Sequence, residues 1–180
     1  MEQISLLSRK EAEVAVNVRW MVRRDLAAVI AIEHETYDFP WQEEDFMNCL
    51  KQRNCIGMVA EDQGRIVGFM IYENPGNQFH LLNIATAREH KRQGVARQMV
   101  QKLVEKLISQ RRNKICAIIR ETNLDTLLFF RSVGFQATTI LKNYFESSCD
   151  DAYVMQYALT KEHLVEDAIP VNRIADRVAG

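Results

Sequence analysis

The sequence predicts a single mixed α/β domain, with a mostly antiparallel sheet and helices on both faces. Three observations predict it. Short alternating or β-branched runs recur along the chain, helical periodicities separate them, and the two kinds interleave instead of falling into separate blocks. A length of 180 residues is enough for one domain to bury a core of ordinary size. With 47% hydrophobic and 26% charged residues, the chain belongs with soluble globular proteins and not with disordered or membrane ones.

The elements follow in order. Val14, Val16, Val18 and Trp20 fall on one face of a first strand over Val14–Val22. Leu26, Val29, Ile30 and Ile32 then suit an amphipathic helix capped by Asp25, and a second helix is expected over Gln42–Gln52. Asp62-Gln63-Gly64-Arg65 is a polar turn between β-branched runs, which predicts a hairpin of Met58–Glu61 with Ile66–Glu73. A strand at Phe79–Thr86 comes next. After Gly94, Val95, Met99, Leu103 and Leu107 recur every four residues, while Val100, Val104 and Ile108 widen the stripe, predicting a helix that ends near Arg111. A buried strand at Ile115–Arg120 leads to a helix over Asn123–Val133, with Gly134 as its left-handed terminator. Strands at Gln136–Lys142 and Ala152–Leu159 complete a domain spanning 13–159. Residues 160–180 form an extension whose Leu164, Val165, Ile169, Ile174 and Val178 suit a helix, a dimer contact or a tail.

Several function classes are disfavoured. A formal charge of −1 gives no overall attraction to nucleic acid or to an anionic membrane, so any phosphate binding must be local. Cys49, Cys55, Cys116 and Cys149 make no C-x-x-C pair and the His residues lack metal-ligand spacing, which points to free thiols and no metal. Neither an export signal nor a membrane span is evident, so a cytoplasmic location is expected. Dinucleotide and mononucleotide loops of the glycine-rich types do not occur.

Chemistry concentrates in 82–97, a strand that leads through the basic turn Arg88-Glu89-His90-Lys91-Arg92-Gln93 into a helix. Main-chain N–H groups in the first helical turn have no internal partner, and the helix dipole adds partial positive charge, so a diphosphate fits there. Gly94 and the small Ala96 let phosphates approach the main chain, and Lys91, Arg92 and Arg97 add charge. On this reading Gly94→Glu should abolish binding of the diphosphate while leaving the fold intact.

Lys91–Ala96 resembles the Q/R-x-x-G-x-G/A motif of the GNAT acetyltransferases, with Lys91 where Gln or Arg is usual. The resemblance extends from Phe39 to Leu159. Phe39-Pro40-Trp41, Asn83-Ile84-Ala85, Arg92-Gln93-Gly94, Arg120 with Asn123, Gly134-Phe135 and Asn143-Tyr144 are similar, in order, to motifs of the bacterial ribosomal-protein-alanine N-acetyltransferase (RimI-like) subgroup. It implies the GNAT fold, acetyl-CoA as acyl donor and an amine acceptor, foremost a protein N-terminus. It further implies that Ile84, Ala85 and Thr86 line the pantetheine arm, that Arg92, Gln93, Gly94, Val95, Ala96 and Arg97 receive the pyrophosphate, and that Asn123 touches the cofactor. Phe39, Pro40 and Trp41 are implied as acceptor contacts, although Trp41 equally suits plain core packing.

Two departures fall where the subgroup keeps its catalytic Glu and Tyr, for here those positions are Ile118 and Phe130. The remaining proton carriers to consider are His80, Glu121 and Tyr144, each of which also has an ordinary structural reading. At pH 7 the neutral form of an α-amine with pKa near 7.8 is about a sixth as abundant as the charged form, against roughly one part in 2,500 for a lysine amine. An α-amine therefore needs a base far less. Three alternatives follow: N-terminal acetylation by direct attack, acetylation of a small amine, or a domain that binds CoA and has lost catalysis.

Overall fold

The computed structural model describes residues 13–145 and 149–159. Its architecture is the expected mixed α/β one, with a seven-stranded and mostly antiparallel sheet. The strands are β1 (Asn17–Trp20), β2 (Cys55–Asp62), β3 (Arg65–Glu73), β4 (Gln78–Thr86), β5 (Lys114–Arg120), β6 (Gln136–Phe145) and β7 (Asp150–Ala158). The helices are α1 (Leu26–Thr36), α2 (Glu43–Leu50), α3 (Val95–Ser109) and α4 (Leu124–Ser132). Two compact units share the chain. One takes the described residues up to Pro75 with His80–Leu103, the other Gly76–Phe79 with those from Val104 onward.

In the first unit β1, β2, β3 and β4 pair in sequence order, all antiparallel. Gln63 and Gly64, at φ 46° and 82°, close the β2–β3 hairpin between paired Asp62 and Arg65. Left-handed conformations at both turn residues match the twist of the flanking strands. Val29 and Ile32 of α1, Phe46 of α2, and Val59, Phe69 and Ile71 of the hairpin form one buried cluster. Each such side chain contributes about 1.5–3 kcal/mol by leaving water.

Three expectations for this unit change. The first strand is only Asn17–Trp20, because the backbone just before it bonds to the start of α3 instead. Val14 N–H donates to the Gln93 carbonyl at 3.0 Å, and the Gln98 side chain accepts from Val16 N–H at 3.1 Å and donates to the Val14 carbonyl at 2.6 Å. Asp25 does not cap α1 with its side chain. Its carboxylate accepts both guanidinium N–H groups of Arg19, at 2.7 and 3.0 Å, and the Val22 N–H at 2.9 Å. Two parallel bonds from a cationic guanidinium outweigh a cap to a single main-chain N–H, so Arg19 wins. Finally, Cys49 and Cys55 are not free thiols. The end of α2 turns back onto the start of β2, bringing their Cα atoms to 6.0 Å, and they form a disulfide.

In the second unit β5 pairs with β7 and β7 with β6, again antiparallel. Phe130 of α4 is wholly buried and meets Phe135 at 4.8 Å and Phe129 at 5.3 Å, both edge-on. Gly134 ends α4 at φ 94°, as its position predicts. Strand β6 is longer than expected and exposed along most of its length, and it includes Tyr144, expected in the following loop. Residues 160–180, the expected extension, lie outside the described residues.

Candidate active site

Strand β4 delivers the chain into the basic turn, where Arg88–His90 make one 3-10 turn before α3 begins. Gly68 on β3 explains how α3 comes so close to the sheet. A Cβ there would stand 3.0 Å from the Ala85 carbonyl oxygen, 3.0 Å from the Met99 methyl and 3.1 Å from Val95. Arg92 and Gly94 are left-handed, at φ 63° and 82°, and Gln93 between them is not. Alternating handedness of this kind is the backbone pattern of an anion-binding nest, just ahead of the orphan donors of α3. Lys91, Arg92 and Arg97 are exposed around it.

Thr86, at the end of β4, supplies an independent sign of a missing partner. It is 8% exposed, and its hydroxyl finds no hydrogen-bond partner among the described residues. Buried hydroxyls are nearly always paired, so a ligand running along β4 toward the basic turn fits this atom. Gly94 requires a correction. A Cβ on it would lie 2.7 Å from Cγ and Oε1 of Glu13, a flexible side chain that can move aside, but at φ 82° any side chain strains the backbone, so the fold would not be left untouched. Gly94→Glu is therefore not a clean probe of the cradle.

Strand β4 carries a register shift. Asn83 faces Ile71 and Leu81 faces Tyr72, which leaves Leu82 as an extra, exposed residue. Two residues further on, the Ile84 carbonyl accepts the Tyr37 hydroxyl at 2.5 Å. One lone pair that a pantetheine amide was expected to use is thus taken by protein.

The segment between α1 and α2 is held from beneath by Glu33, which sequence reading missed. Glu33 is 1% exposed. Its Oε1 accepts the Trp41 N–H at 2.8 Å and its Oε2 accepts the Asn83 side-chain amide at 3.1 Å. Burial pushes its carboxyl above the ordinary range, and the two neutral donors only partly oppose this. The available signal was its place four residues after Val29, on the inward stripe of α1. The Trp41 ring packs edge-on against Phe46 at 5.4 Å, in keeping with its core reading, whereas Phe39 is 67% exposed.

The proton carriers are separated by their surroundings. His80 pairs with Glu73 at 3.1 Å and lies opposite it in the β3–β4 register. Four residues of strand put it about 13 Å from Ile84. Glu121 is exposed, and its carboxylate accepts the Asp151 N–H at 3.2 Å. Tyr144 is 47% exposed, in an irregular part of β6 where Asn143 adopts φ 50°. The Asn123 side-chain oxygen caps α4 by accepting the Thr126 N–H at 3.2 Å. Ile118 is 41% exposed and Phe130 wholly buried, and neither can carry a proton.

A β-bulged strand thus leads through a basic turn into the start of a helix, the order the sequence predicted. Residues 26–135 match the acetyltransferase (GNAT) family, and the chain belongs to it. By family it is an acetyl-CoA-dependent N-acetyltransferase. Among curated relatives, the [ribosomal protein bS18]-alanine N-acetyltransferase of Escherichia coli K12 is 27% identical over 133 residues, which cover 73% of this chain and 89% of that one. The crystal structure of the E. coli ribosomal-protein-S18-alanine N-acetyltransferase superposes with a TM-score of 0.74 at 24% identity, covering 81% of this chain and 95% of that one. A GNAT family acetyltransferase from Elizabethkingia anophelis with acetyl-CoA bound gives a TM-score of 0.67 at 16% identity, covering 80% and 98%. Among the described residues no helix is long and apolar enough to cross a membrane.

Proposed function

We propose that the chain acetylates a protein or peptide N-terminal α-amine, with acetyl-CoA as donor, in the cytoplasm. The observation that carries the donor half is the left-handed pair Arg92 and Gly94 opening onto α3 beside the unpaired Thr86 hydroxyl. The diphosphate is held by main-chain N–H groups of 92–97 with Arg92 and Arg97, and the pantetheine arm follows Ile84, Ala85 and Thr86. Phe39 and Pro40 contact the acceptor. The acceptor class is taken from relatives named for the alanine N-terminus of ribosomal protein bS18.

The neutral amine attacks the thioester carbonyl, a C–N bond forms and the C–S bond breaks. The ammonium proton leaves to water, and the departing thiolate, of pKa about 8.5, takes a proton back as free CoA. Ile118 and Phe130 supply neither base nor acid, so rate comes from proximity and from hydrogen bonds to the carbonyl oxygen. An α-amine suits such a site because a useful share of it is already neutral at pH 7.

Calorimetric acetyl-CoA binding and release of free CoA with alanine-first peptides, polyamines and free lysine test this reading together. Turnover is expected with the peptides, and Arg92→Glu with Arg97→Glu should weaken acetyl-CoA binding at least about tenfold. Turnover with polyamines alone redirects the reading to small amines. Tight binding with no CoA release from any amine establishes the CoA-binding alternative that Ile118 and Phe130 favour.

A further inference from the structure

We infer that Glu33 is a positioning residue for the acceptor: its two carboxylate oxygens clasp the loop after α1 to strand β4 and so fix Phe39 at the acceptor site. This role rests on the reading of Phe39–Trp41 as the acceptor-binding segment. The geometry is specific. One oxygen takes a main-chain N–H of the loop, at Trp41, and the other takes the Asn83 amide of β4. Asn83 immediately precedes Ile84, whose carbonyl is bonded by Tyr37 from the opposite end of the same loop. Loop residues 37 and 41 are therefore fastened to consecutive residues of the strand beside which the thioester is proposed to lie.

What lies between the fastenings is Asp38-Phe39-Pro40, with the Phe39 ring 67% exposed. An exposed aromatic ring held rigidly over a sheet suits the side chain of a first residue whose amine must reach a fixed carbonyl carbon. A loose loop would spread that ring over many positions and weaken acceptor binding without touching the diphosphate cradle. Glu33 cannot meet the acceptor amine itself, since it is 1% exposed and both oxygens are occupied. Its effect passes through the loop.

The test uses the full chain carrying Trp20→Phe, which leaves Trp41 as the single tryptophan, because the sequence has two. Acceptor KM, acetyl-CoA affinity and Trp41 emission are measured for Glu33→Ala, Glu33→Gln and Asn83→Ala. Glu33→Ala should raise the KM of an alanine-first peptide about tenfold or more and red-shift Trp41 emission, with acetyl-CoA affinity unchanged within about twofold. Glu33→Gln should stay within about threefold of wild type, since its oxygen still accepts from Trp41 N–H and its amide pairs with Asn83 once that amide turns over. Asn83→Ala, which removes one fastening, should raise KM about threefold. Should Glu33→Ala fail to fold, the contrast between Glu33→Gln and Asn83→Ala decides. The role is overturned by an unchanged acceptor KM in folded Glu33→Ala and Asn83→Ala, or by a parallel loss of acetyl-CoA affinity. If the wild type turns over no amine, the functional reading has failed first and the role goes with it. Normal turnover with unmoved KM in the variants sinks this inference alone.

Discussion

The two ends of α1 each bury a carboxylate, and they use it in opposite ways. At the N-terminal end Asp25, 4% exposed, meets the Arg19 guanidinium through two hydrogen bonds, and Arg19 is held in turn by Glu61 at 2.7 Å. The guanidinium keeps the Asp25 carboxyl below its ordinary 3.8, against the effect of burial. At the C-terminal end Glu33 is buried to the same degree but faces neutral donors, the Trp41 N–H and the Asn83 amide. Burial dominates there and its carboxyl moves up from 4.5. Depth alone does not fix what a buried acid does. The charge of its partner decides whether it becomes a permanent ionic anchor or a neutralisable fastening for a loop.

The largest expected effect is at the ionic end. Asp25→Ala leaves the Val22 N–H unpaired and Arg19 with Glu61 as its one acidic partner among the described residues, and should lower unfolding stability by about 3 kcal/mol in urea melts. If the loss is under about 1 kcal/mol, the two ends do not differ as described. Glu33→Ala leaves two buried donors unpaired and should cost about 2 kcal/mol, with the acceptor KM rising as stated above.

The pH dependence sharpens the contrast further, because the signs oppose. Asp25, lowered in the fold, contributes stability that is present above its unfolded pKa near 3.8 and is lost as pH falls through the lower folded value. Glu33, raised in the fold, contributes stability that is complete below its unfolded pKa near 4.5 and is lost as pH climbs through the higher folded value. Urea melts of Asp25→Asn should therefore flatten the acid limb of the stability profile, and those of Glu33→Gln the decline above pH 4.5. A Glu33→Gln profile that overlays wild type above that pH contradicts the assignment. Smallest in stability is Phe39→Ala, expected within about 0.5 kcal/mol because the ring is 67% exposed. It should nonetheless raise acceptor KM about as much as Glu33→Ala, and a normal KM in Phe39→Ala removes the ring from the acceptor site.

The strand, basic turn and helix of the proposed donor half were readable because their physics is local. A glycine in a basic turn, a four-residue apolar repeat after it and a strand before it are contiguous, and the structure places 82–97 as that order requires. The proposed acceptor half was readable only as a motif. Phe39-Pro40-Trp41 stood out, yet nothing in those letters says that the Trp41 ring turns inward to Phe46 while Phe39 stays out. Glu33 was hidden because an acid on a helix is usually solvated. Its pairing with the Trp41 N–H and with Asn83, fifty positions away, makes burial tolerable.

By itself the sequence determined the alternation of strands and helices, the β2–β3 turn, the start of α3 and the absence of a Glu and a Tyr at 118 and 130. These depend on periodicity, on backbone handedness at a few residues and on which side chains can carry a proton, all properties of neighbours along the chain. Tertiary structure alone decided that Arg19 takes Asp25 away from the helix cap, that Cys49 meets Cys55, that 14–16 dock onto α3 and not into a longer strand, and that Glu13 lies against Gly94. Each is a competition among partners for the same group, and its winner is set by which distant segment the packed core brings within about 3 Å.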